Sequence, residues 1–194
     1  MRIFFTGSQG TGKSTLVDML MNEFPWLERT ADITRDLVKD GAIKKEETSK
    51  GSNEEVQAII FNAYLPELRK NDIISPRHLV DAIAYSKWLY DREGLSQEEL
   101  DREVSITSQE IQNMNLDKLQ HKSLADANFI IYTPVEFEPE DDGMRDLDPQ
   151  YQAEIDECIV WALGAVNANY IQVSGTPEER LQQILKDIYM RIYK

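Results

Sequence analysis

Gly7-Ser8-Gln9-Gly10-Thr11-Gly12-Lys13-Ser14 decides the fold, because it fits the pattern G-x-x-x-x-G-K-[ST] of a phosphate-binding loop. Arg2 to Thr6 before it predicts a short buried strand, and Thr15 to Phe24 after it predicts a helix with an apolar stripe. Glycines allow successive backbone N–H groups to converge on a polyphosphate, and the helix N-terminus adds partial positive charge. Strand, glycine-rich turn and helix therefore predict a site for a nucleoside triphosphate.

The residues of this loop have expected roles toward ATP and Mg²⁺. Lys13 is expected to reach the β- and γ-phosphates, and Ser14 is expected to ligate the metal. The other predicted nucleotide contacts within and just after the loop are Gly7, Gln9, Gly10, Thr11, Gly12 and Thr15.

The composition predicts one soluble domain. The chain has 194 residues and a single cysteine, Cys158, so an internal disulfide is impossible and a reducing compartment is expected. The first strand starts too early to leave room for a signal peptide, and no apolar run approaches the length of a membrane span. We therefore expect a cytoplasmic protein that does not enter a membrane, and the sequence leaves a homodimer open.

The negative charge of the chain is concentrated in one segment. The net charge is −14, and the segment from Glu136 to Glu157 contains ten acids and one base, Arg145. An acidic protein gains little from counterion release on polynucleotides, so extended contact with nucleic acid is disfavoured. A local basic groove on an acidic body remains compatible with this charge.

Strand and helix patterns alternate along the chain, which predicts an α/β protein with a three-layer phosphate-loop fold and a mainly parallel sheet of five strands. The later strands are expected near residues 26–30, 72–75, 127–133 and 170–173, and residues 44–50 are expected to form a polar loop. Capping boxes are expected at Ser52 with Glu55, Ser96 with Glu99, and Thr176 with Glu179. No repeat or linker interrupts this order, so residues 1–194 are predicted to be one domain.

Three classes of phosphate-loop protein compete at this point. A GTPase usually needs an Asn-Lys-x-Asp element, which the sequence lacks. A motor ATPase usually ends a buried strand with acids that hold Mg²⁺ and activate water, whereas the strands here end in Ser75-Pro76 and Thr133-Pro134. A kinase needs no water-activating glutamate, because it excludes water and positions a second substrate. Elimination of the other two classes therefore favours a kinase.

The sequence also resembles the nucleoside and nucleotide kinases with a phosphate loop, and within them the ribosylnicotinamide-kinase-like branch found in phages and bacteria. The resemblance spans nearly the whole chain. It implies an ATP-dependent phosphotransferase that acts on a small nucleoside- or nucleotide-like acceptor, with residues 136–157 as a small lid.

After the second strand, that branch carries an acid followed three residues later by an arginine, and Asp32 and Arg35 match these positions. The resemblance implies that Asp32 contacts the acceptor hydroxyl, as base or as orienting group, and that Arg35 holds the substrate. These residue types suit the roles, because a carboxylate accepts a proton and a guanidinium binds two oxygens at once. The alternatives are a helix N-cap for Asp32 and a surface salt bridge for Arg35.

After the third strand, the family pattern Asp-Arg-Ser-x-x-Asp with a later tyrosine is matched by Arg77, Asp81 and Tyr85. The resemblance implies that these three residues contact the substrate and that Arg77 is catalytic. The first acid of the pattern is replaced by Pro76, so either Asp32 takes over at the metal or metal binding is weaker. A structural pair of Arg77 with Asp81 and a core position for Tyr85 are the alternatives.

Two further matches concern the ends of the predicted nucleotide site. Asp142-Gly143-Met144-Arg145 resembles the Asp-Gly-x-Arg of the family lid, so Arg145 is expected to close over the transferring phosphate. Gly175 and Thr176 follow the last strand in the place of the family loop beside adenine. The alternatives are a solvated acidic loop for the first match, and a plain turn and helix cap for the second.

The sequence thus predicts a kinase that moves the γ-phosphate of ATP to a nucleoside- or nucleotide-like acceptor, with hydroxyl and phosphate acceptors both open. Two alternatives remain. One is a phage kinase that acts on a hydroxymethylated pyrimidine in DNA, such as 5-hydroxymethyluridine. The other is a module that binds ATP and partners without transferring phosphate, which the proline at position 76 favours.

Overall fold

The computed structural model describes residues 1–120, 127–137 and 148–192. The strands are β1 Arg2–Thr6, β2 Glu28–Arg29, β3 Ile73–Ser75, β4 Asn128–Tyr132 and β5 Tyr170–Gln172. The helices are α1 Lys13–Glu23, α2 Ile33–Lys39, α3 Glu54–Leu68, α4 Leu79–Tyr90, α5 Gln97–Gln120, α6 Pro149–Ala165 and α7 Pro177–Ile192. A 3-10 helix, Lys45–Thr48, lies between α2 and α3.

The five strands form one sheet in the order β2-β3-β1-β4-β5, and every pairing is parallel. Parallel neighbours need a crossover connection, and the helices supply it. This confirms the predicted α/β fold and its sheet. Because β1 lies at the centre, the loop that follows it opens at the carboxyl edge of the sheet, where ligands of such folds bind.

Alternate side chains of β1 build the two faces of the core. Ile3 and Phe5 pack in a buried cluster with α1 and α7. Phe4 is fully buried in a larger cluster with α3, α4, α5 and α6. Each face of a sheet buried on both sides needs an apolar cover, and this requirement gives the three layers.

Two local predictions need correction. The segment 44–50 was expected to be a loop, but Lys45–Thr48 is a 3-10 helix, because Glu47 accepts a hydrogen bond from the backbone N–H of Lys44 at 2.7 Å. Ser52 was expected to cap α3, but the cap is Asn53, which accepts from the N–H of Val56 at 3.1 Å. Asparagine caps a helix as well as serine does, and the chain uses the later of the two residues.

The other two predicted caps are in place. The backbone N–H of Glu99 donates to Ser96 Oγ at 3.2 Å. At α7 the box is reciprocal: Thr176 N donates to Glu179 Oε2 at 2.8 Å, and Glu179 N donates to Thr176 Oγ1 at 3.3 Å. Thr176 therefore fixes the start of the last helix beside the phosphate loop.

Candidate active site

The phosphate loop has the conformation that its glycines predict. Gly10 and Gly12 have φ of 73° and 83°, in the left-handed region that favours glycine. Gly12 is also the N-cap of α1, so the N–H groups in the first turn of that helix point back toward the loop. This arrangement is suited to binding an anion at the helix N-terminus.

Gly7 is required by a close approach of two chain segments. A Cβ atom at Gly7 would lie 2.4 Å from Thr133 Oγ1 and 2.5 Å from the carbonyl oxygen of Thr133. The Thr133 hydroxyl also lies 2.9 Å from the hydroxyl of Thr11. The end of β4 is therefore packed directly against the loop.

Lys13 is buried and lies inside the curve of the loop. Its Nζ donates to the carbonyl oxygen of Gly7 at 2.7 Å and to that of Ser8. A cation at this position lies among the residues expected to contact a polyphosphate. Neighbouring Ser14 and Thr15 are exposed and line the same cavity as Lys13.

Side chains from three helices hold the backbone of the loop. Asp81 of α4 accepts from the N–H of Gly7 at 3.2 Å, and Gln152 of α6 donates to the carbonyl oxygen of Gln9 at 2.6 Å. From α7, Arg180 Nη1 donates to the carbonyl oxygen of Thr11 at 2.7 Å. The sequence interpretation missed Gln152 and Arg180, because no local pattern distinguishes them from other polar residues on amphipathic helices.

Arg180 connects the phosphate loop with the two segments after β4 and β5. It is 3% exposed, and its Nη2 donates to Glu136 Oε2 at 2.9 Å. The same oxygen of Glu136 accepts from the N–H of Gly175 at 2.8 Å. Partial burial raises the pKa of Glu136, but these two hydrogen bonds outweigh it and hold that pKa below its ordinary value. The guanidinium also lies 5.4 Å from the centre of the Phe137 ring.

Asp32 and Arg35 form a pair at the start of α2. Asp32 is the N-cap of this helix and accepts from the N–H of Arg35 at 3.4 Å. Its other oxygen lies 3.0 Å from Arg35 Nε. The cap and the salt bridge that the sequence left open as alternatives are thus both present, and both side chains remain close to half exposed.

Arg77 and Asp81 form a second pair, at the start of α4. Arg77 Nη1 lies 3.4 Å from Asp81 Oδ1, whereas Asp81 Oδ2 accepts from the N–H of His78 at 2.8 Å. Burial lowers the pKa of Arg77, but four neighbouring groups raise it by more: Tyr85, Asp81, Tyr64 and Asp32. The pKa therefore lies above its ordinary value, and the guanidinium stays charged. His78 is the buried N-cap of α4, and burial lowers its pKa to about 3.

Two neighbouring cavities open at this edge of the sheet. The first, here the phosphate-loop cavity, has a volume of about 500 Å³ and is lined by Gly10 to Leu16, Asp32, Arg35, Pro76, Arg77, Phe137, Gly175, Pro177 and Arg180. The second, here the outer cavity, has a volume of about 540 Å³ and is lined by Gln9, Asp32, Thr34, Arg35, Val38, Lys45, Glu46, Thr48 to Gly51, Arg77 and Tyr85. Among the described residues, Asp32, Arg35 and Arg77 line both.

Not every predicted site residue lines these two cavities. Gly7, at the start of the loop, packs against Thr133, Thr176 caps α7, and Asp81 lines a smaller space of about 50 Å³ together with Arg77. Arg145 lies outside the described residues, together with the rest of residues 138–147 in the middle of the predicted lid. Pro76 lines the phosphate-loop cavity at the position where the family pattern has an acid.

The fold and the loop define a P-loop protein. Residues 2–180 match the family described as the AAA domain, and the chain belongs to that family. A search of curated proteins finds no match.

Solved structures with this fold include three kinds of protein. Deoxyadenosine kinase from M. mycoides with bound dATP is 16% identical, with a TM-score of 0.62 over 97% of this chain and 100% of that one. Shikimate kinase from Aquifex aeolicus is 17% identical, with a TM-score of 0.54 over 98% of each chain. NadR protein in complex with NAD and AMP-PNP is 15% identical, with a TM-score of 0.56 over 95% of this chain and 48% of NadR.

The structure also bears on membrane association. Of the helices in the described parts of the chain, none is both long enough and apolar enough for a membrane crossing.

Proposed function

We propose that this protein transfers the γ-phosphate of ATP to a nucleoside- or nucleotide-like acceptor. The observation that carries the proposal is the position of Asp32, Arg35 and Arg77 on the walls of both cavities. Phosphoryl transfer needs the donor phosphate and the acceptor oxygen to meet in line, with cations around the charge that is transferred. Two cavities with a shared charged border provide such a meeting point.

The phosphate-loop cavity is assigned to ATP. Backbone N–H groups of the loop and the Lys13 ammonium neutralise the triphosphate, and Gly175 is assigned to the side of the base. Ser14 and Asp32 are the residues that would hold Mg²⁺, because an exposed hydroxyl and a carboxylate on one cavity suit its preference for oxygen. Bound there, the metal would neutralise phosphate oxygens.

The outer cavity is assigned to the acceptor. An acceptor oxygen forms the new bond to the γ-phosphorus while the bond from that phosphorus to the β–γ bridging oxygen breaks, and ADP leaves. Asp32 takes the proton when the acceptor is a hydroxyl. Arg35 and Arg77 stabilise the negative charge in the transition state, and Arg145 is proposed to add to them from the lid.

The names of similar structures support the assignment of ATP. Deoxyadenosine kinase was solved with dATP, an adenine nucleoside triphosphate, and NadR was solved with AMP-PNP, an analogue of one.

Pro76 in the phosphate-loop cavity favours the second candidate, a protein that binds ATP without transferring phosphate, because an acid at this position would help to hold the metal.

The test is transfer of labelled γ-phosphate to a panel of nucleosides, nucleotides and DNA that contains hydroxymethylated pyrimidine. We expect Lys13→Met to lower kcat/KM by about 100-fold or more, because one group that stabilises the transferring phosphate is worth that much. Lys39→Met is the matched control, since Lys39 is exposed and paired with Asp36. Magnesium-dependent binding of ATP without transfer to any acceptor would support the second candidate instead.

A further inference from the structure

The wall of the outer cavity has a charge opposite to that of the chain. Four cationic side chains line it, Arg35, Lys45, Lys50 and Arg77, against two carboxylates, Asp32 and Glu46. The whole chain carries a net charge of −14. Cations gathered around a cavity of an acidic protein indicate a ligand with negative charge.

Carboxylates behind this wall fix the cations in place. Asp148, which does not line the cavity, pairs with Lys50. Asp81 lies under Arg77, but its oxygens also accept from the backbone N–H groups of Gly7 and His78. A guanidinium has five N–H donors, and Arg77 gives Asp81 only one contact of 3.4 Å. The Arg77 guanidinium therefore keeps donors for a ligand in the cavity, and the ion pair with Asp148 holds Lys50 at the cavity wall.

The two lysines belong to a folded segment. Thr48 Oγ1 donates to the carbonyl oxygen of Lys45 at 2.8 Å, which closes the 3-10 helix. A Cβ atom at Gly51 would lie 2.6 Å from the carbonyl oxygen of Glu46, so the chain packs tightly there. Lys50 Nζ also lies 5.6 Å from the centre of the Tyr151 ring. The segment thus places Lys45, Ser49 and Lys50 on one wall of the outer cavity.

The cations divide into two groups by position. Arg35 and Arg77 line both cavities, whereas Lys45 and Lys50 line the outer cavity and not the phosphate-loop cavity. The first group is where the transferring phosphate passes, beside the carboxylate of Asp32. The second group lies away from the phosphate loop, so it is placed for a part of the ligand other than the one that reacts.

From this arrangement, and on the basis of the proposed function, we infer that the acceptor is an alcohol that carries a phosphate group of its own. Its phosphate binds Lys45, Lys50 and the hydroxyl of Ser49, while its hydroxyl lies beside Asp32. Lysine ammonium groups and hydroxyl donors are suited to a phosphate monoester. A cavity of about 540 Å³ has the size of a site for a small molecule such as a nucleoside monophosphate.

The transfer then yields a product with two separate phosphate esters. The hydroxyl oxygen of the acceptor bonds to the γ-phosphorus, the hydroxyl proton goes to Asp32, and ADP leaves with the electron pair of the broken bond. The phosphate that was already on the acceptor is unchanged. A transfer to that phosphate would instead give a diphosphate.

Binding is tested first and without ATP, by calorimetry with matched pairs of nucleosides and nucleoside monophosphates, including hydroxymethylated pyrimidines. We expect the monophosphate of at least one pair to bind about tenfold or more tightly than its nucleoside, since hydrogen bonds to ionised groups are the strong ones. Lys45→Met and Lys50→Met should each reduce that advantage severalfold, and Lys39→Met should not. Equal binding of both members of every pair would overturn the inference, whether or not the protein transfers phosphate.

Transfer is tested next on the pair that binds, with phosphorus NMR of the product. Two monoester resonances are expected, and a diphosphate would overturn the inference while leaving the kinase intact. Phosphorylation of modified DNA, with no binding of free monophosphates, would overturn the inference that the acceptor is a small molecule. Failure of ATP to bind would count against the proposed function and not against the phosphate site, because calorimetry without ATP measures that site directly.

Discussion

Arg180 Nη1 donates to the carbonyl oxygen of Thr11 at 2.7 Å, which joins α7 to the phosphate loop across 169 residues of sequence. A trans peptide directs its carbonyl and N–H to opposite sides. The carbonyl of Thr11 points toward the buried guanidinium, so the N–H of Gly12 points away from it. Arg180 therefore orients an amide of the loop and places a positive charge on the wall of the phosphate-loop cavity.

The first prediction concerns this contact. Arg180→Met should weaken ATP binding by about tenfold or more and raise the KM for ATP more than it lowers kcat, because a hydrogen bond to a charged group is lost. Arg180→Lys should restore part of the affinity. Arg191→Met is the control on the same helix, since Arg191 is exposed. A loss of melting temperature with unchanged ATP affinity would contradict the orienting role.

The second prediction concerns Gly7. Gly7→Ala places a methyl group 2.4 Å from Thr133 Oγ1, so the loop or the end of β4 has to shift and ATP binding should be lost. Gly164→Ala in α6 is the matched control, because a Cβ atom there meets nothing within 4 Å. It should leave ATP binding unchanged and stabilise the protein by about 0.5–1 kcal/mol. Calorimetry and thermal unfolding measure both effects.

The third prediction tests whether Asp32 is a base. Asp32→Asn keeps a good N-cap and loses only an exposed ion pair, worth about 0.2–1 kcal/mol, so stability should change little. If the acceptor is a hydroxyl, kcat should fall by about 100-fold or more. Asp36→Asn in the same helix is the control. Unchanged turnover in Asp32→Asn would remove the assignment as base.

The fourth prediction concerns the proline in the phosphate-loop cavity. Pro76→Asp should reduce the Mg²⁺ concentration needed for half-maximal binding of ATP, because a carboxylate is added where the cavity is lined by proline. Pro76→Asn changes the backbone in the same way without the charge, and should not have this effect. Equal metal dependence of the two variants would show that the position does not contribute to the metal.

The fifth prediction concerns Glu103, which is fully buried between α4 and α5. Neither of its carboxylate oxygens has a hydrogen-bond partner by geometry among the described residues, and the hydroxyls of Ser86 and Thr107 are buried beside it without partners as well. Burial raises the pKa of Glu103 to about 8, and the nearby charges of Glu99 and Glu54 add to the rise, whereas that of Arg102 opposes it. The group is therefore neutral in the folded protein at pH 7.

The sign of the effect follows from this raised pKa. Between about pH 4.3 and pH 8 the folded protein holds a proton that the unfolded chain has lost, so the stability that Glu103 contributes falls as pH rises, by at most about 1.4 kcal/mol per unit. Glu103→Gln should flatten the dependence of the unfolding free energy on pH in this window. Glu98→Gln, at an exposed position of the same helix, should not. Identical pH profiles of wild type and Glu103→Gln would contradict the raised pKa.

The order of the strands and helices was predictable because each depends on a local pattern of residues. The period of apolar residues and the caps of α5 and α7 depend on neighbours within a turn or two, which a sequence displays directly. The error at Ser52 also has a local cause. Two good capping residues stand side by side, and Ser52 instead accepts a hydrogen bond from Gln57 Nε2 at 2.7 Å.

The candidate site was predictable in part. Asp32, Arg35 and Arg77 were expected to contact the acceptor because they match a family pattern, and they line both cavities. The structure adds that Asp32 also caps α2 and that the Asp81 carboxylate binds the backbone of the phosphate loop. A pattern of letters specifies a position, and it does not distinguish contact with a substrate from support of the chain around it.

The sequence alone determined the phosphate loop, the alternation of strands and helices, and thus the parallel sheet with that loop at its carboxyl edge. Only the tertiary structure decided which distant side chains hold that loop: Thr133, Gln152 and Arg180 contact residues between 122 and 169 positions away. It also decided that Lys45 and Lys50 share a cavity wall with Arg77. The physical reason is that a loop and its helix form from local backbone preferences, whereas a cavity and its charge arise where separate elements pack together.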